Sequence, residues 1–82
     1  MAQFQFAVGN GFSLRDPDRV ELPDLAAARI RAVEVAAEML RSGADDFWDA
    51  REWTLEVANE SGLLLFSIAV VVYEAPAIRR QP

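Results

Sequence analysis

One stretch, Trp53 to Tyr73, constrains this chain more than any other; it reads WTLEVANESGLLLFSIAVVVY. Two apolar, β-prone runs flank Asn59-Glu60-Ser61-Gly62, a set of turn formers, and that combination specifies a β-hairpin. Strand residues two apart share a face, so Trp53, Leu55 and Val57 point one way while Thr54, Glu56 and Ala58 point the other. A type I turn with Gly62 at the positive-φ position suits the connection. Closing the turn between Asn59 and Gly62 sets Val57 opposite Leu64, Leu55 opposite Phe66 and Trp53 opposite Ile68, all on one face. A one-residue slip would scatter this set. In the same register Leu65 faces Glu56 and Leu63 faces Ala58 on the other face, where Ala69 and Val71 also lie. A strand apolar on both faces is central in its sheet or covered from both sides.

The rest of the chain supplies material to cover this hairpin. Phe4, Phe6 and Val8 alternate with Gln3, Gln5 and Ala7, the pattern of a half-buried strand. Gly9-Asn10-Gly11 reads as a turn and Phe12-Ser13-Leu14 as a returning arm, so residues 3–14 predict a second hairpin. Arg15 to Arg19 is a charged loop, and Val20 to Pro23 is extended because the residue before a proline avoids the α region. Asp24 is placed to cap a helix from Leu25 to about Arg41. Ser42-Gly43 ends that helix, with Gly43 in a left-handed conformation.

On a helical wheel Leu25, Ala28, Ala32, Val35, Ala36 and Met39 form an apolar stripe. Val33, Leu40, Ile30 and Ala37 widen it beyond what one sheet face needs. Arg29 falls inside the stripe, and its head is expected to reach solvent or a carboxylate. Residues 43–52 read as an acidic irregular segment pinned by Phe47 and Trp48. Residues 1–73 then form a single domain, and residues 74–82, with two prolines, a flexible tail.

Composition excludes much chemistry. The 82 residues contain no Cys, no His and no Lys, which removes thiol chemistry, the commonest general base and zinc ligand, and Schiff-base or P-loop lysines. A net charge of −5 argues against a nucleic-acid footprint, and Arg79-Arg80 alone does not reverse it. The N-terminal MAQFQFAV lacks the features of a signal peptide, and the run from Leu63 to Tyr73 is too short to cross a bilayer. The expected compartment is the cytoplasm. Paired carboxylates are the one catalytic constellation on offer, in Asp16, Asp18, Glu21 and Asp24 and in Asp45, Asp46 and Asp49. They read as solvated acidic loops, because no set of nucleophile, base and oxyanion donors can be filled. A calcium loop at Asp16–Asp24 lacks the EF-hand glycine and late glutamate. No catalytic, cofactor or metal residue is therefore expected.

The segment Glu21-Leu22-Pro23-Asp24-Leu25-Ala26-Ala27-Ala28-Arg29, with the aromatic strand Phe4-Gln5-Phe6-Ala7-Val8 and the hairpin Trp53 to Gly62, resembles a family of small alphaproteobacterial domains of unknown function. Those domains carry an E-L-P-D-L-x-x-A-R helix start and a C-terminal W-x-x-E-V-x-[DN]-E-x-G hairpin. The likeness spans about residues 3–72. It departs where Gln stands in the first strand in place of Arg, Tyr or His, and in lacking a glycine near Arg19. The resemblance implies this fold and no particular reaction.

The expected architecture is α+β, ββαββ, with two hairpins in one antiparallel sheet and a helix on one face. The expected function is a non-enzymatic interaction module, a homodimer joined through the sheet face or edge opposite the helix, with Leu63, Leu65, Ala69 and Val71 as interface. Another protein is a further partner class; nucleic acid, membrane and cofactors are not expected. The alternatives are a small-ligand sensor or regulatory domain with a pocket between helix and sheet, and an acidic antitoxin-like partner of a basic protein.

Overall fold

The computed structural model describes residues 1–9 and 18–77. Strands β1 (Ala2–Gly9) and β2 (Asp18–Leu22) precede helices α1 (Leu25–Ser42) and α2 (Ala44–Ala50), and strands β3 (Glu52–Asn59) and β4 (Leu64–Val71) follow. All neighbouring strands are antiparallel, in the order β2-β1-β3-β4, so the N-terminal strand lies inside the sheet and β4 forms an edge. This is the expected α+β arrangement, with a second, short helix added.

The first hairpin forms, with its second arm at Asp18–Leu22. Ala2 pairs with Leu22 and Phe4 with Val20. The arm expected at Phe12–Leu14, and the Asn10-Gly11 turn before it, lie outside the described residues. Val20 and Leu22, read from sequence as part of a charged and extended connection, are strand residues packed on the core.

The helix-side face of the sheet holds the core. Phe4, Phe6, Leu55 and Val57 are buried against Ala28 and Ala32 of α1, with Val8, Val20, Leu22, Val35, Phe66 and Ile68 packed around them. The two alanines let the α1 backbone sit close to the sheet. Asp24 caps α1 as expected: its carboxylate accepts from the Ala27 N–H at 2.9 Å. Leu25, expected in the core, is 39% exposed, and Met39 is half-buried. Arg29 is exposed.

Gly43 ends α1 by donating its N–H to the Met39 carbonyl at 2.9 Å, but with φ −117° it is not left-handed. Its missing side chain matters for another reason. A Cβ there would stand 2.6 Å from Cη2 of Trp53. From Gly43 the chain turns directly into α2, where an irregular segment was expected. Asp45 and Asp46 in its first turn suit the helix dipole, and its one buried side chain, Phe47, packs on Trp53 with ring centroids 5.7 Å apart. Trp48, next to it, is exposed. Arg51 closes α2 in the left-handed region, φ 67°, and donates its N–H to the Phe47 carbonyl at 2.7 Å.

The β3–β4 register differs from the expected one by two residues. Val57 faces Phe66, Leu55 faces Ile68 and Trp53 faces Val70. Two local irregularities cause the difference. The turn closes one residue later than expected: the Asn59 N–H donates to Leu63 O at 2.9 Å, and Gly62, at φ 91°, donates to Asn59 O at 3.0 Å. A bulge between Val57 and Ala58 then adds a residue on β4, since Ala58 faces Leu64 while Val57 faces Phe66. Each irregularity alone reverses the alternation. Together they restore it, so Phe66 and Ile68 remain on the helix side. Leu64 lies between the two and is turned to the outer face with Ala58. It is not in the core, contrary to expectation. Glu56 accordingly faces Ser67 instead of Leu65.

Candidate interaction surface

The turn between β3 and β4 is tightly specified. The Asn59 Oδ1 accepts from the Ser61 N–H, the Ser61 hydroxyl and the Leu63 N–H at 2.9–3.0 Å. From β1 the Gln5 side-chain amide donates to the Asn59 and Glu60 carbonyls at 3.2 and 3.1 Å. This clamp fixes where β4 begins, and with it the face on which each β4 side chain emerges.

Beyond the turn, no charged residue occurs from Ser61 to Tyr73. Leu65, Ala69 and Val71 lie on the face away from α1, with Leu64 added to them by the bulge. Leu64, Leu65 and Val71 are 51%, 38% and 40% exposed. Leu63 stands apart from this row, exposed at the end of the sheet opposite Asn59. The sequence points to Leu65, Ala69 and Val71. It does not point to Leu64, whose position depends on a bulge that the alternating pattern conceals.

Apart from Ala7 and Ala58, both half-buried, the rest of the outer face is polar. Alternation along the other strands places Gln3 and Gln5 of β1, Glu52, Thr54 and Glu56 of β3, and Arg19 and Glu21 of β2 there. The exposed apolar side chains of that face are therefore gathered along one edge.

The α1 flank above this edge is apolar apart from Arg29, which is exposed. Ala36, Met39 and Leu40 line a cleft with Trp53, Leu55, Ile68 and Val70, which places the Ala36–Leu40 flank toward β4. At about 100° per residue, Val33, Ala37 and Ile30 continue around the helix from Leu40, and Val33 and Ile30 are exposed. Arg31, Glu34, Glu38 and Arg41 occupy the back of the helix, away from the sheet, where Arg41 pairs with Glu38.

The backbone at this edge has a definite orientation. The Val72 N–H donates to the Arg51 carbonyl at 3.1 Å, and the ladder runs without irregularity from Glu52–Val71 to Val57–Phe66. Backbone groups alternate in direction along an antiparallel strand, so Val70, Ile68 and Phe66 also address β3. Ser67, Ala69 and Val71 direct their N–H and C=O groups to the outer edge, where no strand among the described residues pairs with β4.

Other candidate chemistry does not come together. The helix–sheet cleft has a volume of about 10 Å³, room for one water. Asp24 is engaged as the cap of α1, Asp45, Asp46 and Asp49 are exposed on α2, and Asp16 lies outside the described residues. Among the described residues no three carboxylates group as metal ligands, and no helix is long and apolar enough to cross a membrane. A shallow depression of about 390 Å³ lies at the sheet end between Ala2–Phe4 and Asn59–Ser61, open to solvent.

No curated protein and no solved structure matches the chain. One family model, Domain of unknown function (DUF6894), matches residues 3–71, nearly the whole length. The chain is a member of the DUF6894 family.

Proposed function

We propose that this chain is a non-catalytic protein-interaction module that works as a homodimer through the β4 side of its sheet. The observation that carries the reading is the uncharged edge strand with Leu64, Leu65 and Val71 substantially exposed along its outer face. Exposed apolar groups gathered in one patch mark an association surface more than scattered ones do.

Magnitudes set the expected strength. Each of these side chains is already about half covered, so completing its burial contributes about 1 kcal/mol, part of the full value for an aliphatic side chain. A two-fold contact counts each residue twice. Over three side chains in two copies the total is about 6 kcal/mol, little more than the lower end of the association cost, about 4 kcal/mol, so a stable dimer also draws on the hydrogen bonds that the outward backbone groups of β4 can make. The alternative of a ligand sensor with a pocket between helix and sheet is less well supported. That cleft, at about 10 Å³, is far below the roughly 300 Å³ a small-molecule site needs.

Leu65→Glu tests the reading by light scattering and circular dichroism. A dimeric parent and a folded, monomeric variant are expected, since Leu65 lies on the outer face and the core faces α1. A variant that stays dimeric, or that unfolds, contradicts it.

A further inference from the structure

A homodimer through the β4 side can form in two ways, by stacking outer faces or by joining edges. We infer that two copies join edge to edge, β4 beside β4, antiparallel about a two-fold axis perpendicular to the sheet. The product is one continuous sheet of twice the four strands, with both α1 helices on the same side. The inference rests on the homodimer reading and specifies its geometry.

The two edges of the sheet differ in a way that selects β4. An open edge strand is a template for pairing, and proteins protect such edges with charge, proline or brevity. At the other edge β2 is five residues long, carries Asp18, Arg19 and Glu21, and runs into Pro23. β4 is eight residues long, with no charge and no proline. Its outward N–H and C=O groups, at Ser67, Ala69 and Val71, form an uninterrupted set of donors and acceptors for a second strand.

Face stacking fits less well. It would carry Gln5, Glu52 and Glu56 toward the same groups of the other copy, which costs free energy unless each finds a partner. Edge pairing leaves those residues in water and extends only the apolar row. It also brings the α1 flank of Val33, Ala37 and Leu40, with Arg29 among them, to the side from which the second copy approaches.

The second copy is the occupant because the strand is complementary to itself. A two-fold perpendicular to the sheet pairs residues of the same face. With the axis at Ser67 or Ile68, Leu65 of one copy stands beside Ala69 or Val71 of the other. No charge lies between Ser61 and Tyr73, so the net charge of −5 on each copy is kept away from the seam.

The test uses the full chain. The Ala69 N–H points to the open edge, so Ala69→Pro removes no β3–β4 bond, and proline is tolerated at such positions. Ala69→Pro is expected to keep the parent's circular dichroism and to weaken dimerisation roughly tenfold or more by sedimentation. In the parent, the Ser67, Ala69 and Val71 amides are expected to exchange hydrogen at least roughly tenfold more slowly at high than at low protein concentration. If Ala69→Pro unfolds, the amide exchange of the parent decides. A dimeric parent whose three amides exchange equally fast at all concentrations overturns edge pairing and leaves the homodimer reading standing. So does an Ala69→Pro variant that dimerises as well as the parent. A monomeric parent overturns both.

Discussion

Trp53 occupies the space that a side chain on residue 43 would need: a Cβ on Gly43 would lie 2.6 Å from Cη2 of Trp53 and 3.3 Å from Cζ2. The glycine is required by this contact, because its φ of −117° is open to any residue. The same indole packs on Phe47, so Trp53 joins the end of α1, α2 and the start of β3 in one cluster.

Gly43→Ala should therefore destabilise the chain by about 1–3 kcal/mol through overpacking, although alanine suits the backbone. Urea melts followed by Trp53 fluorescence, in a Trp48→Phe background, check it. Parent-like stability would show that the indole moves aside freely.

Asp24→Ala should cost about 0.5–2 kcal/mol through loss of the bond to the Ala27 N–H, and Asp24→Asn should cost much less. If both variants melt like the parent, residue 24 does not cap α1.

The register separates two leucines that look alike in sequence. Leu55, 1% exposed beside Ile68, should cost about 2–5 kcal/mol on change to Ala. Leu64, turned outward by the bulge, should cost within about 0.5 kcal/mol in dilute solution. Equal losses in thermal melts would return Leu64 to the core.

Arg51 holds a left-handed conformation at the α2–β3 junction, φ 67°, where an L-residue is strained by about 1–2 kcal/mol. Its partly exposed ion pair with Glu74, at 3.7 Å, contributes about 0–1 kcal/mol. Arg51→Gly should leave the melting temperature close to the parent's. Arg51→Val should lower it clearly, since a branched side chain fits that conformation worst. Equal melting of the two variants would remove the strain.

Alternation and turn chemistry made most of the architecture readable. Phe4, Phe6, Leu55, Val57, Phe66 and Ile68 fall on the helix side because side chains in a strand repeat every two residues. The exact partners were not readable. The bulge is a backbone event with no residue of its own to announce it, and Asn59 and Gly62 mark a turn without saying whether Gly62 or Leu63 closes it. The strand at Asp18–Leu22 is not readable as one because Asp18, Arg19 and Glu21 give it the look of a charged loop. α2 was missed because it buries one side chain, Phe47, which leaves no helical period to detect. Of the candidate surface, Leu65, Ala69 and Val71 were legible and Leu64 was not.

Sedimentation equilibrium of the full chain between about 1 and 100 µM, a range in which weak dimers dissociate, tests the homodimer most directly. The expected result is a mass that climbs from the 9.1 kDa protomer toward twice that value as concentration rises. A constant mass of 9.1 kDa across the whole range would contradict it.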